Sequence, residues 1–182
     1  MEHILLCGRR RSGRSALIRK LLEGVTLPVF GYETVTARTR PDGYHEIYLC
    51  PYGEAWPSFD ERNHAADCNT RERVIHPEVF DTLGVACLHA RESGLLVMDE
   101  IGFMESGAEA FCSAILERLD GELPILAAVR TGMETDFLRR VTAHPKARVL
   151  AMSPERFDEY YAQLRPLVLA WERAYKENSG PC

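Results

Sequence analysis

A loop rich in glycine and arginine follows the first apolar run of the chain and has the composition of a phosphate-binding site. Residues 8–15 read G-R-R-R-S-G-R-S and stand between the apolar residues 4–7 and an amphipathic helical pattern from residue 16. Glycines let such a loop bring backbone N–H groups against phosphate oxygens, and the following helix N-terminus adds partial positive charge. The pattern therefore predicts a P-loop, whose nucleotide-binding residues are Gly8, Arg9, Arg10, Arg11, Ser12, Gly13, Arg14, Ser15 and Ala16.

Arg14 stands where this motif has a lysine, and Ser15 stands where it has the hydroxyl that reaches Mg²⁺. A guanidinium keeps the positive charge but is wider and more delocalised than an ammonium group. We therefore expect phosphate binding to survive the substitution better than stabilisation of a transition state, which depends on closely placed donors. Two alternatives are an arginine-rich turn without a ligand and a short basic tract at residues 9–11 that contacts nucleic acid.

An acidic pair ends a second apolar run and supplies a second group that could do chemistry. Asp99 and Glu100 follow the continuous apolar residues 95–98, as in a strand that is covered on both faces. An aspartate at the carboxyl end of such a strand is placed to hold Mg²⁺ together with Ser15. Glu100 is predicted to point to the other side of the strand, towards a water molecule that could attack the γ-phosphate. The alternative is a plain strand terminus.

Composition and charge limit the classes of partner. The chain has 182 residues and a net charge of −5, so we expect one domain over residues 1–182 and no nucleic acid or acidic membrane as a general partner. Its six cysteines include no C-x-x-C pair, and no apolar stretch approaches the length of a bilayer span. We therefore expect a cytoplasmic protein. His64, Cys68 and His76 lie close in sequence, but their spacing fits no standard zinc pattern.

Strand-like and helix-like patterns alternate along the chain, which predicts an α/β fold with a mostly parallel sheet. Residues 28–35 and 44–49 look extended and flank a turn at residues 40–43, so we expect a β-hairpin at one side of the sheet. The polar residues 51–73 are predicted to be a flexible insertion. Arg130 should end a buried strand at the same edge of the sheet as Glu100, where it could sense a γ-phosphate or simply be an exposed strand end.

The acidic strand resembles a known family. Residues 95–105 read L-L-V-M-D-E-I-G-F-M-E and are similar to the D-E-I-G-K-M-E signature of small P-loop nucleoside-triphosphatases of the THEP and cancer-related type. Residues 31–34 resemble the G-F-x-T hairpin of that family, and residues 153–158 resemble its late T-P-E-N-R-D element. The chain departs from the family at Arg14 and Phe103, where the family has lysines, and at Thr36, where it has an acidic residue. The asparagine of the late family element has no counterpart directly before Arg156.

The resemblance implies a RecA-like, three-layer P-loop domain that hydrolyses nucleoside triphosphates, such as ATP or GTP, to diphosphates with Mg²⁺. It implies that Glu100 and Arg14 are catalytic, that Ser15 and Asp99 hold the metal, and that Arg156 joins the nucleotide-binding residues. Arg38 and Arg40 could close over the nucleotide or be solvated turn charges. Two further functions stay open: a nucleotide-binding sensor or regulatory protein with little hydrolysis, and a kinase with an acceptor pocket in residues 51–73. The sequence indicates neither the base preference nor the oligomeric state.

Overall fold

One eight-stranded sheet forms the centre of the protein. The structure, a computed structural model, describes residues 2–55, 58–69 and 71–179. The strands are β1 (His3–Gly8), β2 (Val29–Thr39), β3 (His45–Pro51), β4 (His64–Cys68), β5 (Arg73–Ile75), β6 (Leu95–Ile101), β7 (Ile125–Arg130) and β8 (Ala147–Ala151). Their order across the sheet is β5-β4-β3-β2-β6-β7-β1-β8, which leaves β5 and β8 at its two edges. The five strands from β2 to β8 in this order are parallel to one another.

Helices lie between the strands along the chain, and the last helix follows β8. They are α1 (Arg14–Leu22), α2 (Pro77–Val79), α3 (Val85–Leu88), α4 (Glu109–Asp120), α5 (Asp136–Thr142) and α6 (Phe157–Ser179). A π-helical turn joins α2 to α3. Pro77 occupies the first turn of α2, where a backbone N–H would have no acceptor within the helix, so its absence breaks no hydrogen bond. The mostly parallel α/β architecture that the sequence predicts is therefore confirmed.

Two separate hydrophobic clusters cover the two faces of the sheet. Alternate residues of β1 divide between them: Leu5 joins one cluster, whereas Ile4 and Leu6 join the other. The first cluster is closed by α3, α4 and α5, and the second by α1 and α6. Because the central strands are buried on both faces, they can be apolar along their whole length, which explains the continuous apolar runs in the sequence. The result is a three-layer arrangement of helices, sheet and helices.

The strands β2 to β5 form an antiparallel wing on one side of the parallel strands. β2 pairs with β3 in the predicted hairpin, and its turn is closed by a hydrogen bond from the Gly43 N–H to the Arg40 carbonyl (2.9 Å). Gly43 has a φ of 84°, a left-handed conformation that glycine adopts without strain. On its other side β2 pairs with β6, so β2 joins the wing to the parallel part of the sheet.

The segment 51–73 differs from the flexible insertion that its polarity predicts. Part of it is β4, which pairs with both β3 and β5, and Ala65 and Ala66 of this strand are fully buried. The pattern was misleading because the side chains of β4 that pack against the core are small, namely Ala65, Ala66 and the partly buried Cys68, and they carry little of the apolar signal that marks a strand. Trp56, Pro57 and Thr70 of this segment lie outside the described residues, as do Met1 and residues 180–182.

The cysteines that the structure describes are free thiols: Cys7, Cys50, Cys68, Cys87 and Cys112. Over residues 2–55, 58–69 and 71–179, no helix combines the length and apolar character needed to cross a bilayer.

Candidate active site

The glycine- and arginine-rich loop connects the carboxyl end of β1 to the N-terminus of α1. Its backbone takes a left-handed conformation at Arg11 (φ 64°) and at Gly13 (φ 91°), the residue directly before α1. A Cβ atom on Gly8 would come within 2.4 Å of the Ser12 Oγ. Gly8 and Gly13 therefore serve backbone geometry, since a side chain at either position would clash or strain the loop. The loop ends with the free N–H groups of the first helical turn, which can bind an anion.

Parallel pairing brings the acidic pair and Arg130 to the same edge of the sheet as this loop. Gly8, the last residue of β1, pairs with Arg130, the last residue of β7. β7 also pairs with β6, where Asp99 lies opposite Ala128. All three strands run in the same direction, so their carboxyl ends meet at one edge, where ligands bind in open α/β sheets.

Ser15 and Asp99 form a hydroxyl–carboxylate pair below the loop. The Ser15 Oγ donates a hydrogen bond to the Asp99 Oδ1 at 2.8 Å. Asp99 is 5% exposed, and burial raises the pKa of its carboxyl group, whereas the bond from Ser15 lowers this pKa in part. Among the described residues this hydroxyl is the hydrogen-bond donor to the Asp99 carboxylate. A buried carboxylate with a neutral partner retains an unbalanced negative charge that a cation could neutralise.

Glu100 lies between two arginines. Its Oε2 accepts a hydrogen bond from the Arg14 Nη2 at 2.9 Å, and its Oε1 accepts one from the Arg130 Nη1 at 3.1 Å. Arg14 is 6% exposed, and its Nη2 also donates to the Arg9 carbonyl at 3.3 Å. The Arg14 Nη1 is buried and has no hydrogen-bond partner among the described residues. Arg14 therefore keeps donor capacity for a further acceptor in the cavity.

A bulge in β6 lets both acidic residues face the same cavity. The pairing of β6 with β7 shifts between Asp99 and Ile101, so Glu100 is an extra residue in this strand. Consecutive residues of a regular strand point to opposite faces, but a bulge redirects the residue that it adds. Asp99 and Glu100 consequently line one cavity, which corrects the prediction that Glu100 points to the other side of the strand. Sequence patterns carry no signal for this bulge.

The cavity has a volume of about 790 Å³ and lies between the phosphate loop and the antiparallel wing. Residues of the loop, the acidic strand end and the wing line it: Arg10, Arg11, Arg14, Ser15, Asp99, Glu100, Arg130, Thr34, Asn69, Arg71 and Arg73. Cationic groups outnumber the carboxylates in this set. The cavity is therefore suited to a ligand that carries several negative charges.

Glu105 is a buried carboxyl group near the site that the sequence analysis did not single out as functional. It is 0% exposed, and its Oε2 accepts a hydrogen bond from the Gly102 N–H at 2.8 Å. Burial raises the pKa of Glu105 to about 7. Glu105 thus fixes the turn that directly follows the β6 bulge. Its place in the acidic signature was the available signal, but that signal does not distinguish a site residue from a positioning residue.

Arg156, Arg38 and Arg40 lie outside the set of residues that line this cavity. The Arg156 guanidinium pairs with Glu159 at 2.7 Å and lies over the Tyr160 ring at 4.3 Å. Arg38 is exposed on β2, and Arg40 pairs with Asp42 in the hairpin turn. Within the described part of the chain, no hydrogen bond or ion pair joins these three side chains to the phosphate loop. Arg9 lines a smaller hollow beside the cavity, together with Arg10 and Arg130.

Comparison with known proteins identifies the family of this chain. A family model described as NTPase matches residues 3–164. The chain belongs to this family. The nucleoside-triphosphatase THEP1 of Thermofilum pendens (strain DSM 2475 / Hrk 5) is 41% identical over 58 residues, which are 31% of this chain and 32% of that relative. The match thus spans about a third of the curated relative.

Two solved structures share the fold of this NTPase-family chain. The crystal structure of THEP1 from the hyperthermophile Aquifex aeolicus superposes with a TM-score of 0.72 and 18% identity, over 92% of this chain and 99% of the other. The solution structure of a human cancer-related nucleoside triphosphatase superposes with a TM-score of 0.63 and 20% identity, over 93% of this chain and 98% of the other. At these identities the likeness establishes the P-loop α/β fold.

Proposed function

We propose that the protein hydrolyses nucleoside triphosphates to nucleoside diphosphates and phosphate, with Mg²⁺ as cofactor. The observation that carries the proposal is the position of Glu100, a partly exposed carboxylate held by Arg14 and Arg130 in a cationic cavity beside the phosphate loop. A carboxylate at this point can accept a proton from an attacking water, as a general base does. Membership of the NTPase family supports the same reaction.

Ser15 and Asp99 fit a magnesium ion. Mg²⁺ prefers oxygen ligands and is usually held by one or two side chains together with water and phosphate oxygens. The Ser15 hydroxyl and the buried Asp99 carboxylate, 2.8 Å apart, supply such oxygens, and the carboxylate lacks a neutralising side chain among its hydrogen-bond partners in the described part of the chain. When bound there, Mg²⁺ would neutralise phosphate charge during the reaction.

Arg14 and Glu100 can exchange partners when phosphate enters. Without a ligand, Arg14 holds the Glu100 carboxylate. Phosphate oxygens near the loop compete for the Arg14 guanidinium, through the unpaired Nη1 first. Glu100, once released from Arg14 and still oriented by Arg130, accepts a proton from water. The resulting hydroxide forms a bond to the γ-phosphorus as the bond to the leaving diphosphate breaks.

Phosphate release from a panel of nucleoside triphosphates, with and without Mg²⁺, tests the reaction directly. We expect release that requires Mg²⁺ and that falls roughly a hundredfold or more in Glu100→Gln, the usual loss for a general base. Affinity for a non-hydrolysable triphosphate should stay the same or improve, because the substitution removes a negative charge near the γ-phosphate.

Glu109→Gln is the matched control, since Glu109 is exposed on α4 and does not line the cavity. This variant should hydrolyse like the wild type. An unchanged rate in Glu100→Gln would mean that Glu100 is not the base.

A second candidate function is nucleotide sensing with little hydrolysis. It is favoured by Arg14, which replaces the compact ammonium group by a wider guanidinium. In that case triphosphate binding persists without phosphate release.

A third candidate is phosphate transfer to a small acceptor. The wing residues Asn69, Arg71 and Arg73 line the cavity opposite the phosphate loop, which leaves room for a second molecule. A kinase would release little phosphate until its acceptor is added, so the same panel distinguishes it from a hydrolase.

A further inference from the structure

We propose that His64, Asp67 and His76 form a binding site for a divalent transition-metal ion of the zinc class, separate from the phosphate loop. One ligand atom from each of these residues lies within 4.8 Å of the other two. The site is on the antiparallel wing, at β4 and directly after β5. Two imidazole nitrogens and one carboxylate oxygen are ligands that Zn²⁺ takes in proteins, with water in the remaining position.

A second bulge brings the ligands together. Two consecutive residues of β3 lie opposite His64 and Ala66, so β4 contains one extra residue, Ala65. In a regular strand His64 and Asp67, three residues apart, would point to opposite faces. The extra residue places both side chains on one face of the wing. His76 joins them because its backbone N–H donates to the Ala65 carbonyl at 2.9 Å.

Distances within the cluster suit a metal ion better than a hydrogen bond. The His64 Nε2 and the Asp67 Oδ1 are 3.4 Å apart. Bonds of about 2.0–2.2 Å from zinc to nitrogen and oxygen place two tetrahedral ligands roughly 3.3 Å from each other. Both atoms are buried, and neither has a hydrogen-bond partner within the described part of the chain. A buried polar atom without a partner destabilises the fold, and a shared metal ion would satisfy both atoms at once.

An aromatic ring, a guanidinium and a carboxylate surround the cluster. The Tyr48 ring stacks on the His64 ring with centroids 4.9 Å apart, which fixes the orientation of that imidazole. The Arg40 guanidinium is 3.6 Å from the Asp67 Oδ1, and Glu78 lies 3.4 Å from the His76 Nδ1. Arg40 is exposed, so its guanidinium can move away when an ion arrives.

The cluster is distinct from the proposed magnesium site. β4 lies three strands from β6, which carries Asp99, a separation of roughly 14 Å at the usual strand spacing. Mg²⁺ favours oxygen ligands, whereas two imidazoles favour zinc and its neighbours in the first transition row. Cys68, the cysteine of this region, lines the phosphate cavity instead, because it follows Asp67 on β4 and points to the other face.

Cobalt binding tests the site. The full chain, stripped with a chelator and free of nucleotide, is titrated with Co²⁺ while visible absorption is recorded, and Zn²⁺ is then added in competition. We expect one Co²⁺ per chain with the absorption of tetrahedral cobalt, displaced by Zn²⁺ but not by Mg²⁺. His64→Gln, Asp67→Asn and His76→Gln should each weaken binding by roughly a hundredfold.

Two matched variants separate this site from other sites on the chain. His89→Gln removes an exposed histidine that pairs with Arg118, and Asp99→Asn removes the proposed magnesium ligand. Both should retain the cobalt signal. Loss of the signal in Asp99→Asn would place the ion at the phosphate loop and overturn the proposal.

Measurements on the wild type test the metal site even if one of the three variants fails to fold. In NMR spectra of the wild type, Zn²⁺ should shift the ring signals of His64 and His76, while those of His89 and His144 stay in place. Absence of binding at micromolar Co²⁺ and Zn²⁺, or shifts confined to other histidines, would overturn the site.

Discussion

Glu100 uses both carboxylate oxygens on different cations, the Oε2 on Arg14 and the Oε1 on Arg130. This arrangement balances a buried guanidinium in the absence of phosphate, since Arg14 is otherwise a nearly buried charge. A ligand that brings its own negative charge can replace the carboxylate at Arg14. The pair is therefore suited to exchange a side-chain partner for a phosphate partner.

The variant Arg14→Lys tests how far the guanidinium lowers the rate of hydrolysis. We expect turnover to rise by roughly tenfold, about 1.4 kcal/mol in the activation barrier, because lysine supplies the compact charge that the loop accommodates. Phosphate release at saturating triphosphate measures it. Arg19→Lys is the control, because Arg19 lies on the exposed side of the same helix. A lower rate in Arg14→Lys with unchanged stability would mean that the loop is adapted to arginine, which would make Arg14 an active catalytic group.

Glu105 should make stability depend on pH in a direction that is unusual for a carboxyl group. Burial raises its pKa from 4.5 to about 7, so between these values the folded chain keeps a proton that the unfolded chain has lost. The free energy of unfolding contributed by Glu105 therefore falls as pH rises from 4.5 to 7.

The variant Glu105→Gln keeps the hydrogen-bond acceptor for Gly102. Relative to the wild type, its free energy of unfolding should rise by roughly 1–3 kcal/mol when the pH is raised from 5 to 8. Urea denaturation at the two pH values measures this difference. The exposed Glu109→Gln should show no such gain. Equal pH dependence in wild type and Glu105→Gln would contradict a raised pKa.

At the scale of elements, the junction between β2 and β6 depends on one glycine. Gly31 has a φ of 122°, and a Cβ on it would meet the Val97 carbonyl oxygen at 1.9 Å. Neither strand can move away easily, because both are paired on their other sides. The close approach therefore requires the absence of a side chain.

Gly31→Ala should lower the free energy of unfolding by roughly 3 kcal/mol or more, through steric overlap and left-handed strain together. Gly24→Ala isolates the strain, because Gly24 also has a positive φ (70°) but open space around its Cβ position. That control should lose only about 1 kcal/mol. Chemical denaturation of both variants measures the difference. Equal decreases in the free energy of unfolding in the two variants would show that β2 and β6 can move apart without loss of stability.

The elements also show which features the sequence could predict. The loop at residues 8–15, the apolar strand before Asp99 and the hairpin turn at residues 40–43 are local patterns, and each is present in the structure. The bulge at Glu100 and the meeting of His64 with His76 depend on pairing between distant segments. The strand β4 was missed because its core contacts are small side chains, two alanines and a cysteine. Local spacing determines elements, whereas register determines which side chains share a cavity.

At the scale of the whole molecule, nucleotide binding should raise the free energy of unfolding and the melting temperature. A Mg²⁺-bound non-hydrolysable triphosphate at about a hundred times its dissociation constant adds roughly 2.7 kcal/mol, or about 5–10 °C in melting temperature for a chain of this size. Gly13→Glu should abolish the shift, because it places a carboxylate and a strained residue in the loop. Gly24→Glu, at another glycine with positive φ, should keep it. A full shift in Gly13→Glu would move the binding site away from the loop.

The two strands at the edges of the sheet also affect how copies of the protein meet. Unpaired edge strands invite pairing with another molecule, and each edge here carries an exposed valine, Val74 on β5 and Val149 on β8. An arginine precedes each valine, Arg73 on one edge and Arg148 on the other. Charge beside a short edge strand makes continuation of the sheet into a neighbour unfavourable. We therefore expect the protein to resist edge-to-edge aggregation at both sides of the sheet.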